Sequence, residues 1–168
     1  MSIDIAALIK RAAFLGVTIA TAESCTGGMI SAALTDIPGS SAVVDRGFVT
    51  YSNQAKQEML GVRAGTLDAH GAVSEEVANE MAAGALNRGG VALAVSVTGI
   101  AGPGGSDFKP EGRVCFGLAR IGQRVVTETV EFGAIGRGNV RSETRDHALK
   151  LLAQALSEIE QETGSPQD

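Results

Sequence analysis

The segment Thr21-Ala22-Glu23-Ser24-Cys25-Thr26-Gly27-Gly28 puts three hydroxyls and a thiol at the end of an apolar run and just ahead of helix-forming residues. The first N–H groups of a helix have no partner inside it, so a nucleophile placed there has donors for an oxyanion or a phosphate within reach. The competing reading is that Ser24 or Thr26 only caps the helix, while Gly27 and Gly28 ease the turn. Cys25 could stand in for Ser24 as nucleophile, but neither His70 nor His147 has a claim from sequence to be its base.

The chain uses ten arginines and only four lysines, and Lys56 follows the sole tyrosine, Tyr51, by five residues. A lysine can act as a base only if burial or a neighbouring cation lowers its pKa from about 10.4 toward 7, at a cost of roughly 4 to 5 kcal/mol. That cost is tolerable at a functional site. Otherwise Lys56 is a solvated residue on a short helix and Tyr51 is half-buried core. Thr98 to Gly112 (TGIAGPGGSDFKPEG) is a loop of turn formers around Pro103 with several backbone N–H groups free to meet an anion. It is neither a P-loop nor a GxGxxG fingerprint, and the alternative is a surface loop joining two strands. Arg137, Arg141 and Arg145 fall at i, i+4 and i+8, where like charges repel on one helix face unless an anion or nearby acids answer them.

These groups need elements to hold them. Ile5, Leu8, Ile9 and Ala12 predict a helix over 4–15 ending before Gly16, followed by a buried strand over 17–24 and a helix over 26–36 stopped by Pro38. A strand over 43–52 leads into a short helix that Ser52 or Asn53 can cap. Ser74 caps a helix over 75–88 with Glu75 and Glu76 in its first turn and Val77, Met81 and Leu86 inward; its Ala and Gly content offers a surface for close helix contact. Residues 91–98 form a continuous apolar strand, the pattern of one covered on both faces. The strands 113–120 and 124–132 are spaced as an antiparallel hairpin, and a helix over about 138–162 turns Leu149, Leu152, Leu156 and Ile159 inward, with a frayed tail over 162–168. The alternation predicts one α/β domain of three layers, α/β/α, around a mixed, mostly parallel sheet. Ligands of such sheets sit beyond the carboxyl ends of strands, where both Ser24 and Thr98 fall.

Composition narrows the function classes. With 168 residues the chain buries a substantial core without staples, and 44% hydrophobic against 20% charged residues excludes a disordered polyelectrolyte. A net charge of -5 is the wrong sign for gripping a phosphodiester backbone, so nucleic acid is not expected as a partner. The 22 glycines are in excess without any collagen-like period, which points to turns and close backbone approaches. Cys25, Cys115, His70 and His147 lack zinc spacing, so no metal is expected and the thiols are read as reduced. The longest uncharged stretch, Gly89 to Ser106, ends in turn chemistry, and the amino terminus lacks a signal-peptide pattern. No membrane association and a cytoplasmic address are expected.

Five motifs in order, TAESCTGG, DIPGSSAVVDRGFVTYSNQAKQEMLGV, HGAVSEEVANEMAAGAL, VTGIAGPGG and KPEGRVCFGLA, resemble the CinA carboxy-terminal domain family, and the resemblance runs from Ala6 to Leu156. It implies the family's characterised activity, hydrolysis of the carboxamide of nicotinamide mononucleotide to nicotinic acid mononucleotide and ammonia, with no cofactor. Some members carry an additional amino-terminal domain; the chain resembles the standalone form. The resemblance further implies Ser24 as nucleophile and Lys56 as its base, directly or relayed through Tyr51, with backbone amides of Thr26, Gly27 and Gly28 at the oxyanion. Candidates for holding the nucleotide are Thr98, Gly99, Gly102, Gly104, Gly105, Arg141 and Arg137. At Ile135-Gly136-Arg137 the sequence departs from the family's Gly-Asp-Arg. A homodimer or higher homo-oligomer is the family expectation. The competing functions are a noncatalytic nucleotide-sensing or partner-binding module and hydrolysis of a different small amide.

Overall fold

The structure is a computed structural model that describes residues 2–106 and 108–164. Five strands form one sheet: β1 (Ile19–Glu23), β2 (Val44–Val49), β3 (Leu93–Gly99), β4 (Arg113–Arg120) and β5 (Val126–Glu131). Their spatial order is β2-β1-β3-β4-β5, with β1 parallel to both β2 and β3 and antiparallel pairing from β3 to β4 and from β4 to β5. The expected mixed sheet and the carboxy-terminal hairpin are both present.

Strand alternation sorts the core into two layers. Ile19, Leu93, Val95 and Val97 pack with helices α1 (Ile5–Leu15), α2 (Met29–Thr35) and α6 (Arg137–Gly164). Ala20, Ala22 and Ala94 face the opposite layer with α3 (Asn53–Leu60), α4 (Ala64–His70) and α5 (Glu75–Gly89). The leucines expected inside α6 behave so: Leu149, Leu152 and Leu156 are buried, each contributing about 1.5–3 kcal/mol. Asp4, Ser52 and Ser74 cap α1, α3 and α5 by accepting from Ala7, Ala55 and Val77 N–H.

Three expectations are corrected. Helix α2 starts at Met29, not residue 26, because Gly27 (φ +59°) and Gly28 (φ +112°) hold a left-handed turn first. Strand β2 ends at Val49, leaving Thr50 and Tyr51 in the turn, and α4 is an additional helix. Helix α6 continues through Gly164, so 162–164 are helical; 165–168 lie outside the described residues. The surface for close helix contact expected on α5 is present and is taken by α3, since a Cβ on Gly84 would sit 2.0 Å from the Leu60 carbonyl oxygen; on the sheet side Ser96 donates to the Ala78 carbonyl at 2.6 Å.

Candidate active site

From β1 the chain passes to β2 on one side and then crosses to β3 on the other, so a crevice opens at the carboxyl end of β1, where neighbouring strands take their connections to opposite faces. Parallel register pairs Glu23 with Val49 and with Val97, which brings the residues after all three strands to one edge. Ser24 follows β1 and donates its N–H to the Val97 carbonyl at 3.1 Å, while Thr50 N–H bonds the Glu23 carbonyl at 2.9 Å. Beyond β2, the Ser52 cap starts α3 so that Lys56 and Leu60, one turn apart, both face inward.

Lys56 is 1% exposed and its Nζ has three neighbours: Ser24 Oγ at 3.1 Å, the Thr50 carbonyl at 2.9 Å and the Tyr51 carbonyl at 3.3 Å. Burial lowers its pKa below the ordinary 10.5 because the ammonium loses hydration. Carbonyl oxygens can only accept, so in the neutral amine the two N–H bonds point at Thr50 and Tyr51. That leaves the lone pair for the Ser24 hydroxyl, the arrangement a general base needs.

Tyr51 is 63% exposed, and its hydroxyl accepts from Arg137 Nη2 at 3.1 Å. It is therefore not half-buried core: its backbone carbonyl, not its phenol, meets Lys56, whose Nζ reaches Ser24 Oγ directly. Cys25 lies beside Ser24 with its thiol pushed up to about 11, first by burial and then by the Glu23 charge, so it stays protonated and a poor nucleophile.

The cavity in front of this pair has a volume of about 360 Å³. Ser24, Cys25, Lys56 and Tyr51 line one side; Thr98, Gly99, Gly102 and Gly104 of the glycine-rich loop line the other, with Arg137 at the rim. Arg137 and, when protonated, Lys56 are the charged residues of its described lining, which includes no carboxylate. Arg137 ties the rim together, donating to the Gly102 carbonyl at 2.7 Å as well as to Tyr51. The Thr98 hydroxyl is already committed to the Ala72 carbonyl at 2.8 Å. Gly105 is not among the lining residues; it packs where a Cβ would come within 2.4 Å of the Lys109 carbonyl oxygen.

Two further expectations are overturned. Arg141 does not face the cavity: its Nε and Nη2 donate to the Cys25 and Thr26 carbonyls at 3.0 and 3.1 Å, so it holds the turn and not a phosphate. The arginine row splits accordingly, since Arg145 pairs with Asp146. Of the amides expected at an oxyanion, Gly27 N–H is bonded to the Ser24 carbonyl at 3.1 Å. The first amides of α2 are also taken, by a residue that sequence reasoning missed. Glu23, fully buried, accepts from Thr26 Oγ1 at 2.6 Å, Ile30 N–H at 2.9 Å and Ser31 N–H at 3.0 Å. No alternation marks it, because β1 is buried on both faces.

Fold and cavity together define a three-layer α/β protein with a serine hydroxyl held against a buried lysine at the carboxyl edge of its sheet. The chain belongs to the CinA C-terminal domain family, whose description matches residues 4–156. It is 55% identical over 133 residues to the nicotinamide-nucleotide amidohydrolase PncC of Enterobacter agglomerans, covering 79% of each chain. It is also 55% identical over 147 residues to a CinA-like protein of Chlorobium phaeobacteroides, covering 84% of this chain but 34% of that one. The chain thus spans about a third of the length of the CinA-like relatives. Among solved structures, the competence/damage inducible protein CihA from Agrobacterium tumefaciens superposes with a TM-score of 0.84 at 49% identity, over 94% of this chain and 99% of that one. The competence damage-inducible protein A from Klebsiella pneumoniae gives 0.86 at 39% identity, over 92% and 96%.

Proposed function

We propose that the protein hydrolyses the carboxamide of nicotinamide mononucleotide, releasing ammonia and nicotinic acid mononucleotide. The observation that carries this reading is the buried Lys56 amine 3.1 Å from Ser24 Oγ, with both of its N–H bonds directed at carbonyls. Support for the substrate comes from the amidohydrolase relative at 55% identity and from the Arg137 guanidinium at the cavity rim.

In the first half-reaction neutral Lys56 takes the Ser24 proton as Oγ attacks the amide carbon. The backbone N–H groups of Thr26 and Gly28 are the candidates to receive the developing oxyanion, an interaction worth about 3–4 kcal/mol per donor in related chemistry. The tetrahedral intermediate collapses as the Lys56 ammonium returns the proton to the departing nitrogen, so ammonia leaves and an ester to Ser24 remains. In the second half-reaction Lys56 takes a proton from water, hydroxide attacks the ester, and the proton returns to Ser24 as the carboxylic acid departs and gives up its own proton to solvent. Arg137 and the amides of the Gly99–Gly104 loop are the candidates to seat the phosphate, since a guanidinium at the rim can turn from the neutral Gly102 carbonyl to a charged acceptor.

The test is incubation of the purified chain with nicotinamide mononucleotide, following ammonia and nicotinic acid mononucleotide beside a folded Ser24→Ala variant. Stoichiometric release of both products by the native chain alone is expected. Turnover by Ser24→Ala would remove Ser24 as the nucleophile, and silence in both would remove the activity.

A further inference from the structure

The turn from Ser24 to Gly28 is neither strand nor helix, so its polar groups need partners from elsewhere. One side of it is supplied by Glu23, whose carboxylate collects the Thr26 hydroxyl and the Ile30 and Ser31 amides. The other is supplied by Arg141, reaching from α6 to the Cys25 and Thr26 carbonyls. Ser24 itself is held from both neighbours, its N–H on Val97 and its carbonyl on Gly27 N–H. Opposite charges therefore stand on two sides of the residue adjoining the nucleophile, and both act on the Cys25 thiol. A side chain at Gly27 would lie 3.6 Å from Arg141 Nη2 at a φ of +59°, so the guanidinium sits directly over the turn.

We infer that Arg141 and Glu23 are positioning residues: a two-sided clamp that fixes the turn so that Ser24 Oγ stays in line with Lys56 Nζ. The inference rests on Ser24 being the nucleophile. Packing alone does not account for these contacts. Helix α6 is already seated by Val140, Leu149 and Leu152, and α2 by Ile30 and Leu34, all buried. Both hydrogen bonds of Arg141 end on the nucleophile turn. A planar guanidinium can serve two carbonyls at once from one rigid fork, which an ammonium cannot. A carboxylate in the apolar layer is retained at the cost of its hydration, and its donors all lie within eight residues of it along the same turn and helix.

The test reads Ser24 directly, without the nucleotide. An uncharged alkyl phosphonofluoridate loses fluoride to a reactive serine oxygen, and intact-mass spectrometry gives the rate. Arg141→Met is expected to label about 10- to 100-fold more slowly, the scale of a nucleophile displaced by up to about 1 Å. The pH midpoint of labelling should stay where it is, because Lys56 keeps its own contacts. With nicotinamide mononucleotide, kcat should fall by the same factor while KM moves less than about threefold. Arg141→Lys should recover only part of the rate, and millimolar methylguanidinium should accelerate Arg141→Met but not the native chain. Thr26→Val, which removes one donor to Glu23, should slow labelling in the same way. If Arg141→Met labels at the native rate while KM rises, Arg141 is a substrate ligand and the clamp is wrong. Should Arg141→Met fail to fold, Arg141→Lys decides by the same comparison, since labelling at the native rate with a single-pronged donor overturns the clamp. A native chain that labels at Ser24 but releases no ammonia from the nucleotide would end the proposed function and leave the clamp to be judged on labelling alone.

Discussion

Lys56 holds its proton less tightly in the folded chain than in the unfolded one, because burial strips the ammonium of water, so its titration links activity to stability. Because burial sets the folded pKa below 10.5, the unfolded chain holds one proton more between those two values, and stability rises with pH across that interval. Below the interval both states carry the charge and the gain is gone. Replacing the lysine by methionine removes this dependence. Urea unfolding should show the native chain gaining on Lys56→Met as pH is raised from 7 to 10, by at most about 1.4 kcal/mol per pH unit. Parallel curves would mean that Lys56 titrates normally. At this scale type and spacing made Ser24 and Lys56 candidates and the family resemblance gave them roles, but neither could say that they touch, because 32 positions separate them and only the sheet register closes the gap. Tyr51 was legible as a site residue but not by which end: its carbonyl, not its hydroxyl, meets the lysine. Glu23 was illegible because a carboxylate at a strand end looks the same whether it meets water or the amides of the next helix.

Helices α3 and α5 could be read at their starts because Ser52 and Ser74 are side-chain caps, whose acceptor chemistry is written in the residue type, whereas α1 was legible from its apolar spacing. Helix α4 could not: its N-cap is Arg63, which makes no side-chain capping bond, and Gly65 and Thr66 are poor helix formers held by burial of Thr66 and Leu67. The close approach of α3 to α5 gives a prediction in which two effects oppose. By intrinsic propensity Gly84→Ala should stabilise α5 by about 1 kcal/mol. Its Cβ would meet the Leu60 carbonyl oxygen at 2.0 Å, an atom on the backbone that cannot swing aside. The collision should win, and we expect a net loss of roughly 1–3 kcal/mol in urea unfolding, together with lower activity because Leu60 and Lys56 share the inner face of α3. A stabilised Gly84→Ala variant would show that the two helices are free to separate.

Across the whole molecule, the strand order β2-β1-β3 does what no single motif does: it gathers Ser24, Lys56 and the Thr98–Gly104 loop at one sheet edge. The alternation of helix and strand made this architecture legible, and the continuous apolar run of β3 marked it as the central strand. Composition was less telling: the chain carries a net charge of -5, yet with Lys56 neutral the charge on the cavity's described lining is that of a cation, Arg137. That contrast makes Arg137 the point where charge meets substrate. Steady-state kinetics of Arg137→Ala should show KM for nicotinamide mononucleotide raised roughly 10- to 100-fold, the worth of a hydrogen bond to a charged group, with kcat changed far less. The phosphate-free riboside should not distinguish the variant from the native chain. Equal losses on both substrates would place the role of Arg137 in holding Tyr51 and Gly102, not the phosphate.

Neutral Lys56 as the base for Ser24 is read out by the pH dependence of ammonia release from nicotinamide mononucleotide, run on the native chain beside Lys56→Arg. The native rate should rise with pH through a single ionisation whose midpoint lies below 10.5, and Lys56→Arg, which keeps the charge but cannot give up its proton, should be silent at every pH. Turnover by Lys56→Arg comparable to the native rate would contradict the account.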